Sequence, residues 1–363
     1  MTLARTGVGL FAGAVGVGRA GGSPRAGARS DHRAALRTLG RLAPVVALVG
    51  CAGAPSTVDP RGPAAGRIAD LWWLMLVLSG LVFALVVGGL LWALFRRGRG
   101  PVDPRVLTDD HGARRFLQIG TAATAAVLVG LLAATLPAMR WLGGQVSAAD
   151  TTIDVVGHQW WWEVRYPQGF VTANELHVPV GRPVQIRLGA DDVIHSFWVP
   201  QLQGKMDAIP GRSNTTWLQA DRPGEYRGPC AEYCGVQHAH MQLIVVAEPA
   251  VAYDAWLEAQ RRPAVQPTEP ARLRGAQVFA RTGCIVCHTI RYGSAEVGGK
   301  AGPDLTHVAS RRTLAAGRLE NTRDALAGWI ADPQGLKPGN LMPRLDLDAD
   351  DLRDLVEHLA ALE

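Results

Sequence analysis

Two long apolar runs divide the chain. Leu71 to Phe95 is 25 residues without a charge. At a rise of ~1.5 Å per residue it crosses a hydrocarbon core of about 30 Å with some tilt. Trp72, Trp73 and Trp92 stand near its ends, where aromatic belts lie. A second run, from about Phe116 to Met139, is rich in Ala and Gly, which suits close helix contact. The pattern predicts a two-helix transmembrane hairpin over residues 51–145, with helices at about 71–95 and 116–139. From Thr151 the period changes to short alternating segments: Ile153–Val156, Glu175–Val178, Val184–Leu188, Thr215–Gln219 and Gln242–Val246, punctuated by Gly and Pro. They predict an all-β sandwich over 150–260, closed by a helix from Pro249 to Gln260. Residues 261–270 form a proline-rich linker, reaching about 30 Å at ~3.1 Å per residue. Helical patterns at the start and end of 271–363 predict an all-α domain; in Asp350–Leu362, Leu352, Leu355, Val356 and Leu359 share one face.

Charge adds a topology. The net +5 hides sixteen arginines against six aspartates in residues 1–140, the remainder being acidic in balance. Basic residues around apolar spans read as membrane orientation, and no basic patch interleaved with aromatics supports nucleic-acid binding. The segment 96–115 holds six arginines, so it lies in the cytoplasm and both flanks lie outside. Residues 1–41 are of low complexity, with no packed structure expected. Arg33, Arg37 and Arg41 precede the apolar run Leu42–Gly50, as in a secretory signal covering 1–50. Leu48-Val49-Gly50-Cys51 resembles the bacterial lipobox, which implies lipidation of Cys51 and anchorage in membrane lipid.

The five cysteines fall as Cys51, Cys230 with Cys234, and Cys284 with Cys287, so they do not form a disulfide framework. Cys230-Ala-Glu-Tyr-Cys234-Gly-Val-Gln-His238-Ala-His-Met241 offers two thiolates, an imidazole and a thioether within twelve residues. Soft sulfur with imidazole selects copper, zinc or iron. Structural zinc wants four strong ligands and no methionine; blue copper wants a single cysteine. Two cysteines can instead bridge two coppers. A disulfide, or the thiol pair of a copper-delivery protein, is the plainer reading. A second imidazole is available from His195, at the end of a strand-like run 35 residues upstream of Cys230. The motif C-x-E-x-C-G-x-x-H-x-x-M, with V-x-H-S-F and D-A-I-P-G-R before it, resembles the binuclear copper A site of cytochrome c oxidase subunit II. The resemblance implies a cupredoxin domain with His195, Cys230, Cys234, His238 and Met241 as side-chain ligands. It implies Glu232 as a backbone-carbonyl ligand, its carboxylate holding magnesium at the border with subunit I. In His158-Gln159-Trp160-Trp161-Trp162, neighbours on a strand alternate faces, so all three indoles cannot point inward, and an exposed one marks a contact. The family lets electrons enter at the first, Trp160; Trp161 and Trp162 would pack against the membrane surface or subunit I. A glutamate that family members carry before the second span has no counterpart in Asp109-Asp-His-Gly-Ala-Arg-Arg.

Cys284-Ile-Val-Cys287-His288 is the attachment signature of c-type haem. A thioredoxin-like pair is the rival, but no βαβ pattern surrounds it. The two thiols bond the haem and His288 lies beneath the iron. A distal methionine on a downstream loop is then required, and Lys337-Pro-Gly-Asn-Leu-Met342-Pro343 supplies it; His307 is a weaker rival. Two spans, a copper A cupredoxin and a class I cytochrome c domain resemble subunit II of a caa3-type oxidase. The resemblance implies an electron-input subunit, not catalytic alone. By that resemblance haem c would pass electrons to copper A and on to haem a of subunit I, which would also hold haem a3 and copper B. Dioxygen reduction to water there would be coupled to proton pumping. It further implies subunit III, an upstream cytochrome c or quinol-oxidising donor, and a multi-pass place in the bacterial plasma membrane with both redox domains on the outer face. The alternatives are the electron-input subunit of a copper A nitric oxide reductase and a membrane-anchored copper carrier.

Overall fold

The computed structural model describes residues 55–96, 110–144, 149–293 and 295–363. The signal segment 1–50, Cys51 and most of the arginine-rich segment after the first span lie outside the described residues.

The apolar runs form α1 (Pro63–Arg96) and α2 (Asp110–Gly144), both long and apolar enough to cross a membrane. Each outruns its apolar stretch. α1 starts at Pro63, whose fixed φ suits a first helical position. Its opening turns bury Ala64, Ala65 and Ala69 against the domain that follows. Arg61 N donates to Gln201 O (2.7 Å) and Ala65 N to Leu202 O (3.2 Å). The far end of α2 is tied to the same domain by Trp217 Nε1, which donates to Leu142 O at 2.8 Å. The Arg67 guanidinium lies 4.1 Å from the Trp141 ring centre. The middles of both helices, including Leu85, Leu128 and Val129, are exposed.

Ten strands follow: β1 (Thr152–His158), β2 (Trp161–Arg165), β3 (Val171–Ala173), β4 (Glu175–Pro179), β5 (Val184–Ala190), β6 (His195–Phe197), β7 (Met206–Ala208), β8 (Asn214–Leu218), β9 (Gly224–Pro229) and β10 (Gln242–Glu248). The five alternating segments fall on β1, β4, β5, β8 and β10. One sheet runs β3-β2-β1-β5-β8, a second β4-β10-β9, and β6 pairs with β7. The β1–β5 and β4–β10 pairs are parallel. Inward positions alternate as the pleat requires: Val184, Ile186, Leu188 and Ala190 of β5 join Ile153, Leu176, Leu218, Leu243 and Val245 in one core. The closing helix α3 (Ala250–Arg261) lays Trp256 flat on His177, ring centres 3.8 Å apart.

The C-terminal domain is mainly helical: α4 (Pro270–Arg281), α5 (Cys284–Cys287), α6 (Arg323–Ala331), α7 (Pro333–Leu336) and α8 (Ala349–Leu359), with two short hairpins, β11 (Thr289–Tyr292) with β12 (Ala295–Gly298) and β13 (Thr313–Leu314) with β14 (Leu319–Glu320). α4 crosses α8 at Gly275, where a Cβ would meet Asp354 O at 2.1 Å. Val278, Phe279, Ile330, Leu355 and Leu359 build its core. The segment expected as an extended linker lies along this domain: Ala264 is buried in the helical core, and its N–H donates to Arg291 O at 2.8 Å. Pro55 to Glu363 form one compact unit.

Candidate functional site

The copper-type motif lies on the loop between β9 and β10, and His195 reaches it from β6. The Cys230 and Cys234 sulfurs are 3.9 Å apart and unbonded. Each has an imidazole beside it: His195 Nδ1 is 4.0 Å from Cys230 Sγ, and His238 Nδ1 is 3.6 Å from Cys234 Sγ. Each also has a weak donor: Glu232 O is 3.3 Å from Cys230 Sγ, and Met241 Sδ is 3.8 Å from Cys234 Sγ. Two central sulfurs with one imidazole and one weak donor apiece make a set with twofold balance. The His195, Cys230 and Cys234 ligand atoms lie within 4.8 Å of one another, all three residues buried. The disulfide reading is therefore not realised.

The hydrogen bond with Cys234, against burial and with help from His195, draws the Cys230 thiol well below its ordinary value. The same contact and burial push Cys234 up. A buried thiolate beside a second sulfur is the charge a soft cation would neutralise. Burial opposes protonation of His195, but Cys230 and Asp192 outweigh it and raise that imidazole.

Sequence reading missed what aims His195. Asp192 Oδ1 lies 2.9 Å from His195 Nε2, while its other oxygen accepts from Gln159 N at 2.6 Å. A carboxylate behind a metal-binding imidazole fixes its tautomer and ring plane. Its signal was in the chain, three residues before the histidine. Gly157 packs against the same ring: a Cβ there would come within 2.7 Å of the imidazole.

The tryptophan cluster alternates as expected. Trp160 and Trp162 face the sandwich core, and Trp161 faces the opposite way. None of the three is exposed, however, because the C-terminal domain covers the outward face. Trp161 stacks on His158 (4.4 Å) and packs against Ala316 of that domain. Trp162 sits edge-on to His195. Neither indole is left over for a membrane surface. Trp160 Nε1 donates to Cys234 O at 2.9 Å, so this indole is bonded directly to the metal-type loop. Gly235, with φ 118°, passes so close to Trp160 that a Cβ would lie 2.9 Å from its ring.

Cys284, Cys287, His288 and Met342 line one crevice of the C-terminal domain, walled by Phe279, Leu326, Ile330 and Leu359. His288 Nδ1 is 2.7 Å from Pro303 O. Burial lowers its pKa and keeps the imidazole neutral, leaving Nε2 for a ligand. Met342 enters on a loop fixed by Gln334, whose Nε2 donates to both Asn340 O and Met342 O at 2.8 Å. His307 does not compete: its two nitrogens sit 2.7 Å from Glu363 O and 2.9 Å from Arg262 O. An anionic haem fits this crevice, because Arg311 lines it with a buried, unpartnered Nε.

Gln159, Trp160 and Trp161 complete the crevice wall from the other domain. Lys337 Nζ donates to Trp160 O (2.8 Å) and Ala315 O (3.2 Å). Gln237 Nε2 donates to Pro338 O at 2.5 Å, and Gln242 N to Ala316 O at 3.0 Å. Glu175 takes Arg312 N at 2.5 Å.

The family described as cytochrome c oxidase subunit II, periplasmic domain, matches residues 169–248, and the family described as cytochrome c matches 273–363. Cytochrome c oxidase subunit 2 of Alkalihalophilus pseudofirmus is 37% identical over 325 residues, 87% of this chain and 94% of the relative. That of Bacillus sp. strain PS3 is 31% identical over 321 residues, 81% and 87% respectively. The crystal structure of the periplasmic domain of subunit II of cytochrome oxidase from Bradyrhizobium japonicum is 34% identical, covering 31% of this chain and 94% of that one, with a TM-score of 0.31.

Proposed function

Because the chain belongs to the cytochrome c oxidase subunit II family, we propose that its two redox sites work in series as the electron-input path of a caa3-type haem–copper oxidase. The observation that carries this is the shared wall. The crevice holding Cys284, Cys287, His288 and Met342 is closed by Trp160, whose indole is bonded to the Cys230–Met241 loop. When bound, haem c and copper A would supply one-electron redox chemistry. Everything else is the chain's work.

Cys230, Cys234, His195 and His238 would hold the two coppers through sulfur and imidazole, with Met241 and the Glu232 carbonyl as weaker donors. Asp192 holds the His195 ring in place. Cys284 and Cys287 would bond the haem, His288 and Met342 would ligate its iron, and the Arg311 cation would offset its negative charge. Trp160 stands between the two sites. The half-buried Glu232 carboxylate is available to a magnesium ion shared with subunit I.

The chain is membrane-anchored through apolar helices. We place it in a bacterial plasma membrane by two passes, with both redox domains on the outer face. Cys51 would be lipidated. Subunit I receives the electrons, subunit III completes the complex, and a cytochrome c or quinol-oxidising complex supplies them. Purification with bound partners, followed by metal analysis and gas-consumption assays, tests the reading. Two coppers and one haem per chain with dioxygen consumption are expected. Nitric oxide consumption in place of dioxygen, or copper without haem, would defeat it in favour of a reductase or a copper carrier.

A further inference from the structure

Lys337 is a buried ammonium, 3% exposed, in the loop that carries Met342. A buried cation is costly unless its donors are used. Here two carbonyls receive them: Ala315 O from its own domain and Trp160 O from the copper-type domain. Burial lowers its pKa to about 8, which leaves it charged at neutral pH.

The contact lies at a narrow place. On one side the Lys337 loop leads within five residues to Met342. On the other, Trp160 uses its carbonyl for Lys337 and its indole N–H for Cys234 O. Lys337 also lines the haem-type crevice itself. Ala315 and Ala316 are held at φ 54° and 61°, a left-handed conformation that costs a non-glycine residue energy. In that conformation Ala315 O meets Lys337 and Ala316 O meets Gln242 N of the copper-type domain. At the far edge of the contact, Glu175, also 3% exposed, accepts from Arg312 N and Thr313 N. Each domain thus sends one buried charged side chain onto the other's backbone.

We propose that Lys337 is a positioning residue for electron transfer within the chain: it clasps the Trp160 backbone so that the Met342 side of the cytochrome domain is registered against the copper ligand loop. The proposal rests on the functional reading above. Lys337 transfers nothing itself; it fixes the gap and orientation through which the electron passes. The two modules are covalently joined, so the clasp sets pose, not encounter. Losing it raises the population of poses in which the crevice no longer faces Trp160. A hydrogen bond from a charged donor commonly shifts such an equilibrium by about tenfold or more.

The test uses the assembled oxidase with Lys337→Met and Lys337→Arg. Methionine keeps much of the stem's packing and removes charge and donors. Arginine keeps the charge and the donors. Three readouts are taken: flash-induced oxidation of haem c, amide exchange at Gln242 and Thr313, and the optical and paramagnetic signatures of haem and copper. For K337M the expected result is transfer slowed about tenfold or more, faster exchange at both amides, and unchanged signatures. K337R should recover most of the transfer rate. Wild-type transfer or wild-type exchange in K337M overturns the proposal. So does loss of either centre's signature in K337M, because the lysine would then be serving the centre's own fold. Absence of the copper or haem signature from the unaltered oxidase is a different failure, that of the functional reading.

Discussion

The Gly157→Ala substitution should release the copper site while leaving the sandwich folded. A Cβ at 157 would lie 2.7 Å from His195 Cδ2 and 2.8 Å from Cγ, whereas ordinary contact begins near 3.4 Å. Something must give by about 0.7 Å. The strand is the harder part to move. β1 is paired on both sides, Gly157 opposite Trp162 of β2 and opposite Ala190 of β5. The imidazole is the softer part, held by its own χ angles and by the Asp192 contact at 2.9 Å. The ring therefore retreats, beyond the ~0.5 Å within which a ligand set keeps its function. Losing the orientation of one imidazole typically costs 10–100-fold in metal affinity, about 1.4–2.7 kcal/mol. Copper affinity by chelator competition, with the paramagnetic spectrum of the loaded protein, measures this. Wild-type affinity and spectrum in G157A would refute the reasoning, since the strand would have moved instead of the ring.

Cys230→Ser and Cys234→Ser should each abolish the shared copper signal, because one sulfur cannot bridge in a balanced way. His238→Ala should cost more copper than Met241→Leu, an imidazole being a strong ligand and the axial thioether a weak one; equal losses would argue against the assignment. Removing residues 271–363 should leave copper binding intact and uncover Trp160 and Trp161. Added soluble cytochrome c should then reduce copper A with salt-sensitive, second-order kinetics, and a salt-independent rate would speak against an exposed charged docking face. His358, buried beside Tyr292 OH (3.0 Å), has its pKa lowered from 6.5 to about 4 by burial, with Arg272 adding to it. The unfolded chain then binds more protons between those values. Cytochrome-domain stability is thus full above pH 6.5 and lost as pH falls toward 4, by at most about 3 kcal/mol. His358→Gln should flatten that slope in pH-dependent melting.

The local pattern carried five of the sandwich strands and both spans, and it named the residues that the fold brings together at each site, because each is written within a few residues or at a motif spacing. The alternation that separates Trp161 from Trp160 and Trp162 was legible too. What covers Trp161 was not: Ala316 lies 155 residues further on, and no local period encodes that contact. Lys337 reads locally as one more surface lysine before Pro-Gly, and only its distance to Trp160 O gives it meaning. α1 outran its apolar run because Ala64, Ala65 and Ala69 are buried by protein, which hydropathy alone does not report.

That early start of α1 has a mechanical consequence. Thirty-four residues of helix measure about 50 Å, and a bilayer core takes up roughly 30 Å. The surplus is a stiff shaft whose top turns are inlaid in the sandwich, with α2 fastened alongside through Trp217. Among the described residues, α1 runs unbroken from its apolar stretch into its contact with the sandwich. A bilayer that thickens or thins will change the tilt of these helices, and the copper-type domain will lean with them like the head of a mast. Lipid thickness thereby becomes a variable that sets the angle at which this domain meets whatever stands beside it.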